Sequence, residues 1–426
     1  MKFKQTVPAY LIMAALTALS GLAAASGFAL VEQSASGLGN AFAGGAASAE
    51  DASTIFFNPA GMSRLQGQQI ALAVHALKPS AQFSDTASGQ ATLGARPLGT
   101  IPGDAGSLAL VPNGYFSMEI NPQMKLGIGI NAPFGLKTEY PAGWIGRFQA
   151  LKSSIDTINV NPAVSYQVND GISIGVGLDY QRINAELTSA KNFGAGEGRA
   201  TMSGSDAAWG YNFGALFDLG SSGRIGVSYR SSIKYKLSGA MLVTTPTGAV
   251  ALNQAVTADL KTPDTLSLSY FKALDNKWDV MADLSRAGWS SFNELRIIQV
   301  SNGAVLQVTP ENWSNTWRVS AGTSYHYNEK WTARIGVARD QSPVSDAFRT
   351  ARIPDADRTW LSLGGQCKPA RESAVDFGYA HLFVKDPAIS NNTGSSGTPS
   401  TATVGNLAGN YKNSVDILSV QYTHGF

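Results

Sequence analysis

The chain of 426 residues carries 32 basic and 30 acidic side chains, a formal net charge of +2, and only 15% of its residues are charged. An average soluble protein has about 25% charged residues, and so small a positive excess leaves no electrostatic footprint for nucleic acid. The 44% apolar content, with 18 Phe, 14 Tyr and 8 Trp, excludes disorder, and the single cysteine, Cys367, excludes an intramolecular disulfide framework or a cysteine-based zinc site.

In chain order, the first segment is an address. Lys2 and Lys4 precede an apolar run from Tyr10 to Leu22, and Ala23-Ala24-Ala25 forms a small-residue cleavage site. Residues 1–25 are therefore expected to be a signal peptide, with Ser26 as the mature start. No cysteine stands at that site, so a lipoprotein is not expected. Elsewhere no run of about 18 apolar residues offers a spanning helix. Residues 26–66 are rich in Gly, Ala and Ser and end in Phe56-Phe57-Asn58-Pro59-Ala60-Gly61-Met62. Their aromatics Phe28, Phe42, Phe56 and Phe57 need something to pack against, which favours a plug over a loose tail.

From residue 67 onward the pattern has period two. Ile172, Ile174, Val176, Leu178 and Tyr180 alternate with Ser173, Gly175, Gly177 and Asp179, and Leu418, Val420 and Tyr422 alternate with Ser419, Gln421 and Thr423. Each is an amphipathic strand. Strands are predicted near 67–78, 109–119, 124–134, 155–168, 171–188, 205–219, 222–240, 256–273, 276–295, 313–328, 330–340, 357–369, 372–386 and 409–426. Tight turns, as at Asn169-Asp170, alternate with long loops at 79–108, 135–154, 189–204, 241–255, 296–312, 341–356 and 387–408. Fourteen strands joined in this way predict an all-β fold, a 14-stranded antiparallel transmembrane β-barrel of the bacterial outer membrane. Closure leaves no unpaired backbone in lipid. Trp278, Trp317, Trp331 and Trp360 stand near strand ends, where an aromatic girdle belongs. A lumen of this width is not filled by its own side chains, so residues 26–66 are read as an N-terminal hatch and residues 67–426 as the barrel.

Short motifs then carry a resemblance. Ser26-Gly27-Phe28, Ser36 to Phe42, Ala46 to Asp51 and Asn58-Pro59-Ala60 resemble the hatch of the FadL/TodX-type family of outer-membrane transporters for long-chain fatty acids and aromatic hydrocarbons. Asn131 to Tyr140, Gly288-Trp289-Ser290-Ser291-Phe292, Asp340 to Val344, Ile353 to Leu361 and the terminal Phe426 are similar to it as well. The resemblance spans the mature chain. It implies passive diffusion of hydrophobic ligands from an outer groove to an inner pocket and then sideways into the bilayer. It further implies contact with outer-membrane lipid and lipopolysaccharide, and recognition of Phe426 by the barrel-assembly machinery.

Candidate residues follow from both readings. Ile55, Phe56 and Phe57 supply apolar surface beside Asn58, and Pro59 fixes φ and removes a donor, so Phe56-Phe57-Asn58-Pro59-Ala60 is a defined turn with a gating role implied by the resemblance. Asn131, Pro133, Phe134 and Gly135 mark a kink or the end of the third strand; the family's kinked third strand opens the wall laterally, and Asn161-Pro162 could flank the same opening. Phe28, Leu30, Trp144, Phe148, Phe193 and Met202 are candidates for the ligand pocket or groove, because exposed apolar loops mark contact surfaces. The resemblance implies a carboxylate-binding arginine at Arg182, yet its parity groups it with the outward face. No cofactor, metal site or catalytic residue is expected. The four histidines lack a supporting pattern, Glu50-Asp51 reads as a solvated pair, and Gly194, Gly196 and Gly198 lack a strand-to-helix context. A general porin is the rival reading, and the choice between fatty acids and aromatic hydrocarbons stays open.

Overall fold

The computed structural model describes residues 27–394 and 396–426; the expected signal peptide lies outside the described residues. Its strand segments are β1 (Gln68–Asp85), β2 (Ala109–Asn121), β3 (Met124–Asn131), β4 (Gly135–Glu139), β5 (Lys152–Asn169), β6 (Ile172–Asn192), β7 (Glu197–Asp218), β8 (Arg224–Arg230), β9 (Lys234–Thr244) and β10 (Val250–Lys261). They continue as β11 (Thr265–Ala273), β12 (Trp278–Ala287), β13 (Glu294–Gln299), β14 (Val305–Pro310), β15 (Thr316–His326), β16 (Trp331–Asp340), β17 (Arg358–Ala370), β18 (Ser373–Val384), β19 (Ala388–Asn391) and β20 (Leu407–Gly425). These make fourteen antiparallel staves, six of them broken in two: β3/β4, β8/β9, β10/β11, β12/β13, β14/β15 and β18/β19. β1 closes the barrel on β20, from Gln69 opposite Gly425 to Asp85 opposite Gly409.

Alternation decides the direction of each side chain. Along β6, Ile172, Ile174, Val176, Leu178 and Tyr180 are exposed on the outside, while Ser173, Asp179 and Gln181 are buried toward the lumen. An apolar outer face over a polar interior suits lipid outside the wall. Trp278, Trp317 and Trp331 are exposed as expected, but Trp360 is wholly buried on the lumen side. Several expected long loops are strand extensions instead. The 189–204 loop shrinks to the turn between β6 and β7, and 296–312 contains most of the β13–β14 hairpin. In these extensions Leu187, Met202, Leu295 and Ile297 face inward, which reverses the outward-apolar pattern of the lipid-facing wall and hides the continuation.

Four of the six breaks lie at one height. Below them, Arg230, Thr265, Ala287 and Thr316 pair in succession across β8, β11, β12 and β15. Above them, Lys234 pairs with Lys261 and Glu294 with Pro310. Pro263 supplies one cause, since it has no amide to donate to the ladder. The third stave breaks on the opposite side. β3 pairs with both β2 and β5, but beyond Ile130 the β2 partner is lost, and β4 pairs with β5 alone. The gap therefore lies between β2 and β4. Pro162 sits on the paired side, opposite Ile128, so Asn161-Pro162 does not flank the opening.

The hatch fills the lumen. It contains α1 (Ala35–Gly39), α2 (Gly45–Ser48), α3 (Thr54–Phe57) and a 3-10 turn, Pro59–Arg64. Ser34 caps α1 by accepting from the Gly37 amide at 3.1 Å. Asn58 caps the 3-10 turn at 3.0 Å from the Ala60 amide, with Pro59 at the first helical position. Inward glycines of the wall make room for this backbone. A Cβ on Gly226 would lie 1.9 Å from the Ala46 carbonyl oxygen, and one on Gly336 would lie 2.2 Å from the Asn40 carbonyl carbon. Arginines then stitch hatch to wall: Arg224 donates to the Ala47 and Ser48 carbonyls, and Arg334 ion-pairs with Glu50. Asp51 is buried, accepting from Ser36 and Gln421. The Glu50-Asp51 pair is thus an attachment rather than solvated charge.

Candidate functional site: cavities around the hatch and the third stave

The first hatch residues lie against the broken third stave. Gly135 donates its amide to the Phe28 carbonyl at 2.8 Å, and the Leu30 amide donates to the Pro133 carbonyl at 2.8 Å. Gln33 and Asn113 add side-chain bonds, from Gln33 Nε2 to the Ala132 carbonyl (3.1 Å) and from Asn113 Nδ2 to the Glu32 carbonyl (2.9 Å). Pro133 and the missing β2 partner leave backbone groups at the kink without ladder bonds, and this short arm supplies some of them.

Phe28 is fully buried in an aromatic cage. Its ring centroid lies 4.7 Å from Trp289, 5.7 Å from Trp313, 5.9 Å from Phe134 and 6.1 Å from Phe292. Trp289, Phe292 and Trp313 come from the interruptions of the staves β12/β13 and β14/β15, and Phe134 from that of β3/β4. One hatch side chain thus joins two distant irregularities of the wall.

Two cavities meet at this cage. The outer one, about 80 Å³, is lined by Phe28, Leu136, Ile155, Met202, Leu260 and Phe292, with Glu311 and Arg352 as its charged members. Burial lowers the Arg352 guanidinium to about 10. The inner chamber, about 170 Å³, is lined by Leu30, Val31, Phe56, Phe134 and Trp289 together with arginines of the wall. Phe56 lies beneath Arg230, whose guanidinium is 4.4 Å from the ring and donates to the Phe56 carbonyl at 2.9 Å. Arg230 also pairs with Asp179, which accepts from Asn159 at 2.8 Å, and Asn159 in turn reaches Asn131 at 3.3 Å. A polar chain therefore runs from the hatch turn to the kink. Asn58, in that same turn, donates to the Ala46 carbonyl at 2.7 Å and the Ala215 carbonyl at 3.0 Å.

The sequence candidates separate accordingly. Phe28, Leu30, Phe56, Phe57, Pro133, Phe134 and Met202 line one of the two cavities. Asn58, Pro59 and Ala60 hold the hatch turn beneath them, and Phe148 lines a separate cavity of about 90 Å³ with Met241 and Arg352. Three candidates are corrected. Trp144 is buried inside the loop, stacked on Tyr140 at 4.0 Å with its Nε1 donating to the Ala150 carbonyl, so it holds the loop together rather than meeting a ligand. Phe193 stands half-exposed at the tip of the β6–β7 hairpin, away from these cavities. Arg182 points outward, because no bulge breaks the alternation that carries Tyr180, and its side chain reaches only Asn184 at 3.4 Å. Sequence reasoning misses Trp289, Phe292 and Trp313 as site residues, although Gly288-Trp289-Ser290-Ser291-Phe292 stands out as a motif.

Two histidines have a serine neighbour, partly exposed His424 beside Ser373 and fully buried His75. His75 Nδ1 lies 2.6 Å from Ser419 Oγ and Nε2 lies 3.0 Å from Asn113 Nδ2. Asn113 Nδ2 also donates to the Glu32 carbonyl, so it is a donor to Nε2 and the ring proton sits on Nδ1. The imidazole then donates to Ser419, the reverse of what a base activating a nucleophile does.

Comparison with known proteins agrees with this architecture. Residues 16–426 match the family model described as outer membrane protein transport protein (OMPP1/FadL/TodX). Outer membrane protein P1 of Haemophilus influenzae is 30% identical over 419 residues, covering 89% of this chain and 90% of that protein. The long-chain fatty acid transport protein of Salmonella typhi is 29% identical, covering 86% and 90%. Among solved structures, a Pseudomonas aeruginosa FadL homologue has a TM-score of 0.86 at 25% identity, over 94% of this chain and 99% of that one. The P. putida toluene transporter TodX, at 15% identity and a TM-score of 0.68 over 88% and 94%, shares the fold. The protein is an outer-membrane β-barrel, and the chain belongs to the OMPP1/FadL/TodX family of outer membrane transport proteins.

Proposed function

We propose that the chain takes up long-chain fatty acids or similar hydrophobic compounds passively, past the hatch and sideways into the bilayer between β2 and β4. The observation that carries this reading is the position of Phe28. Its ring lines the outer cavity and packs on Phe134 and Trp289, which line the inner chamber. Withdrawal of one arm, residues 28–33, would both join the cavities and uncover the gap at the kink. A hydrophobic solute then travels along apolar surface with a few fixed polar groups, the usual character of a ligand site. Phe56 to Ala60 act as the fixed base of this gate, and Asn131 to Gly135 as its frame. Relatives named for long-chain fatty acid transport support the substrate class.

The aromatic cage of Trp289, Phe292 and Trp313 favours a second reading, in which the solute is a monoaromatic hydrocarbon. Equilibrium binding of radiolabelled oleate and toluene to the full-length barrel separates the two. Saturable oleate binding that toluene displaces poorly is expected. Preferential toluene binding would move the substrate to aromatics, and ion conductance without binding of either would leave a porin.

A further inference from the structure

The gap between the second and third staves is a window closed at both ends. At its inner end Gly114 still pairs with Ile130, and beyond that rung the pairing stops. At its outer end the chain that precedes β2 returns to the wall. Gln82 bridges to Asp104 in the register that pairs Leu77 with Ala109, so residues 104–108 continue the second stave along β1. There the Ala105 amide donates to the Ala81 carbonyl at 3.0 Å, and the Ala105 carbonyl accepts from the Glu139 amide of β4 at 3.1 Å. Ala105 thus joins both rims, and it is buried in a cluster with Phe83, Tyr140, Trp144 and Tyr411. From Ala105 to Gly114 is about 30 Å of strand, at about 3.4 Å per residue. Within that stretch the hatch arm bonds the carbonyls of Ala132 and Pro133 and the amide of Gly135 on the far rim.

One side chain holds the outer end. Asp104 Oδ1 accepts from the Ala81 amide at 2.7 Å and from the Gly106 amide at 2.9 Å, and Oδ2 accepts from the Ser80 hydroxyl at 2.7 Å. The two backbones are drawn so close that a Cβ on Gly106 would lie 2.2 Å from the Pro79 carbonyl oxygen. Hydrogen bonds to a carboxylate are about twice as strong as neutral ones. Without them Ala105 would be tied to each rim by one amide bond, and short exposed pairings open readily. Rims fixed at both ends part only by bowing between them, whereas rims free at one end swing open. We propose that Asp104 is a positioning residue that fixes the outer end of the lateral window and so limits the girth of the solute that leaves through it. The clasp passes a slim, unbranched chain and holds back branched molecules with the same head group. This inference rests on the sideways-exit reading above and adds selection by shape to it.

The test compares oleate with phytanate, an acid with the same carboxylate and methyl branches along its chain. Uptake of each is measured in proteoliposomes that hold the full-length barrel. The unaltered protein is expected to favour oleate. Asp104→Ala should raise phytanate uptake about fivefold, the weight of one net hydrogen bond, and leave oleate uptake unchanged. Asp104→Asn keeps an acceptor for the two amides and should retain most of the preference. Gln82→Cys with Asp104→Cys, in a Cys367→Ser background, exchanges the clasp for a covalent one, because bridge partners lie within disulfide reach. Its oxidised form should favour oleate, and its reduced form should take up both acids. Where Asp104→Ala fails to fold, this redox pair decides alone. A merely structural role would raise both uptake rates by the same factor together with ion conductance, and that result overturns the proposal. Equal uptake of the two acids by the unaltered protein overturns it, as does a preference that survives reduction. These outcomes leave the uptake reading standing. Absence of oleate uptake by the unaltered protein would remove the uptake reading and the clasp with it.

Discussion

Two sides of the barrel treat the hatch differently. From β16 through β17, β18 and β20 to β1 the staves run unbroken where they meet the hatch, and their inward glycines let hatch backbone lie directly on the wall. Gly336 faces Asn40, Gly364 faces Gly39 and Gly378 faces Leu38. The staves built from β8 to β15 and from β3/β4 also admit hatch backbone through glycines below their breaks, Gly226 at Ala46 and Gly322 at Asn40, but at the breaks themselves the contact is made by aromatic side chains around Phe28. A continuous ladder leaves only space to offer, and the hatch is fixed through it. An interrupted ladder leaves unpaired backbone and reaches inward with side chains, and a short arm caps it reversibly. The contrast places the anchor along the continuous ladders and the gate at their breaks.

The strongest way to break the contrast is to fill the anchor side. Gly336→Val puts a side chain where the Asn40 carbonyl carbon lies 2.2 Å from a Cβ, and hatch backbone has no flexible end to yield. Displacement of the whole hatch is expected, read as large, steady ion conductance in planar bilayers from a barrel that is otherwise closed. Phe28→Ala acts on the gate alone. Truncating a buried phenylalanine costs about 3–5 kcal/mol. The arm should detach while the hatch stays, giving faster oleate uptake into proteoliposomes without steady conductance. Uptake at the original rate would remove Phe28 from the gate.

A smaller effect comes from Glu32. Burial raises its carboxyl from 4.5 to about 7, against the neighbouring Arg358 and Arg318 and together with Asp340. A raised acid favours the arrangement that keeps it neutral. Its contribution to the closed arm is full below about pH 4.5 and is lost as pH rises through about 7. Amides of residues 28–33 should therefore show greater hydrogen-exchange protection at pH 5 than at pH 8 after correction for intrinsic rates, and Glu32→Gln should erase the difference. The least effect belongs to Arg182→Gln. The side chain is exposed on the outer wall, so stability should change by no more than about 0.5 kcal/mol and oleate binding not at all.

Much of the barrel is legible in the sequence because period two survives wherever lipid lies on one side and a polar lumen on the other. The same rule alone places Arg182 outward, with Tyr180 two residues away. It fails beyond that band, where Leu187, Met202 and Ile297 turn the apolar face inward and β6, β7 and β13 continue unnoticed. It fails in loop interiors too, where Trp144 packs on Tyr140 without any periodicity to announce it. Asn58-Pro59 is readable as a turn, since a cap and a proline act locally. The Phe28 cage is not readable, because Phe134, Trp289 and Trp313 meet only once the barrel has closed.

The central claim is that the arm must leave the kink for a solute to pass. Ala29 and Phe134 form an isolated bridge, so cysteines at both positions, with Cys367→Ser, lie within disulfide reach. In proteoliposomes, the oxidised double variant should take up oleate no faster than vesicles without protein, and reduction should restore uptake. Equal uptake by the oxidised and reduced forms would contradict the account.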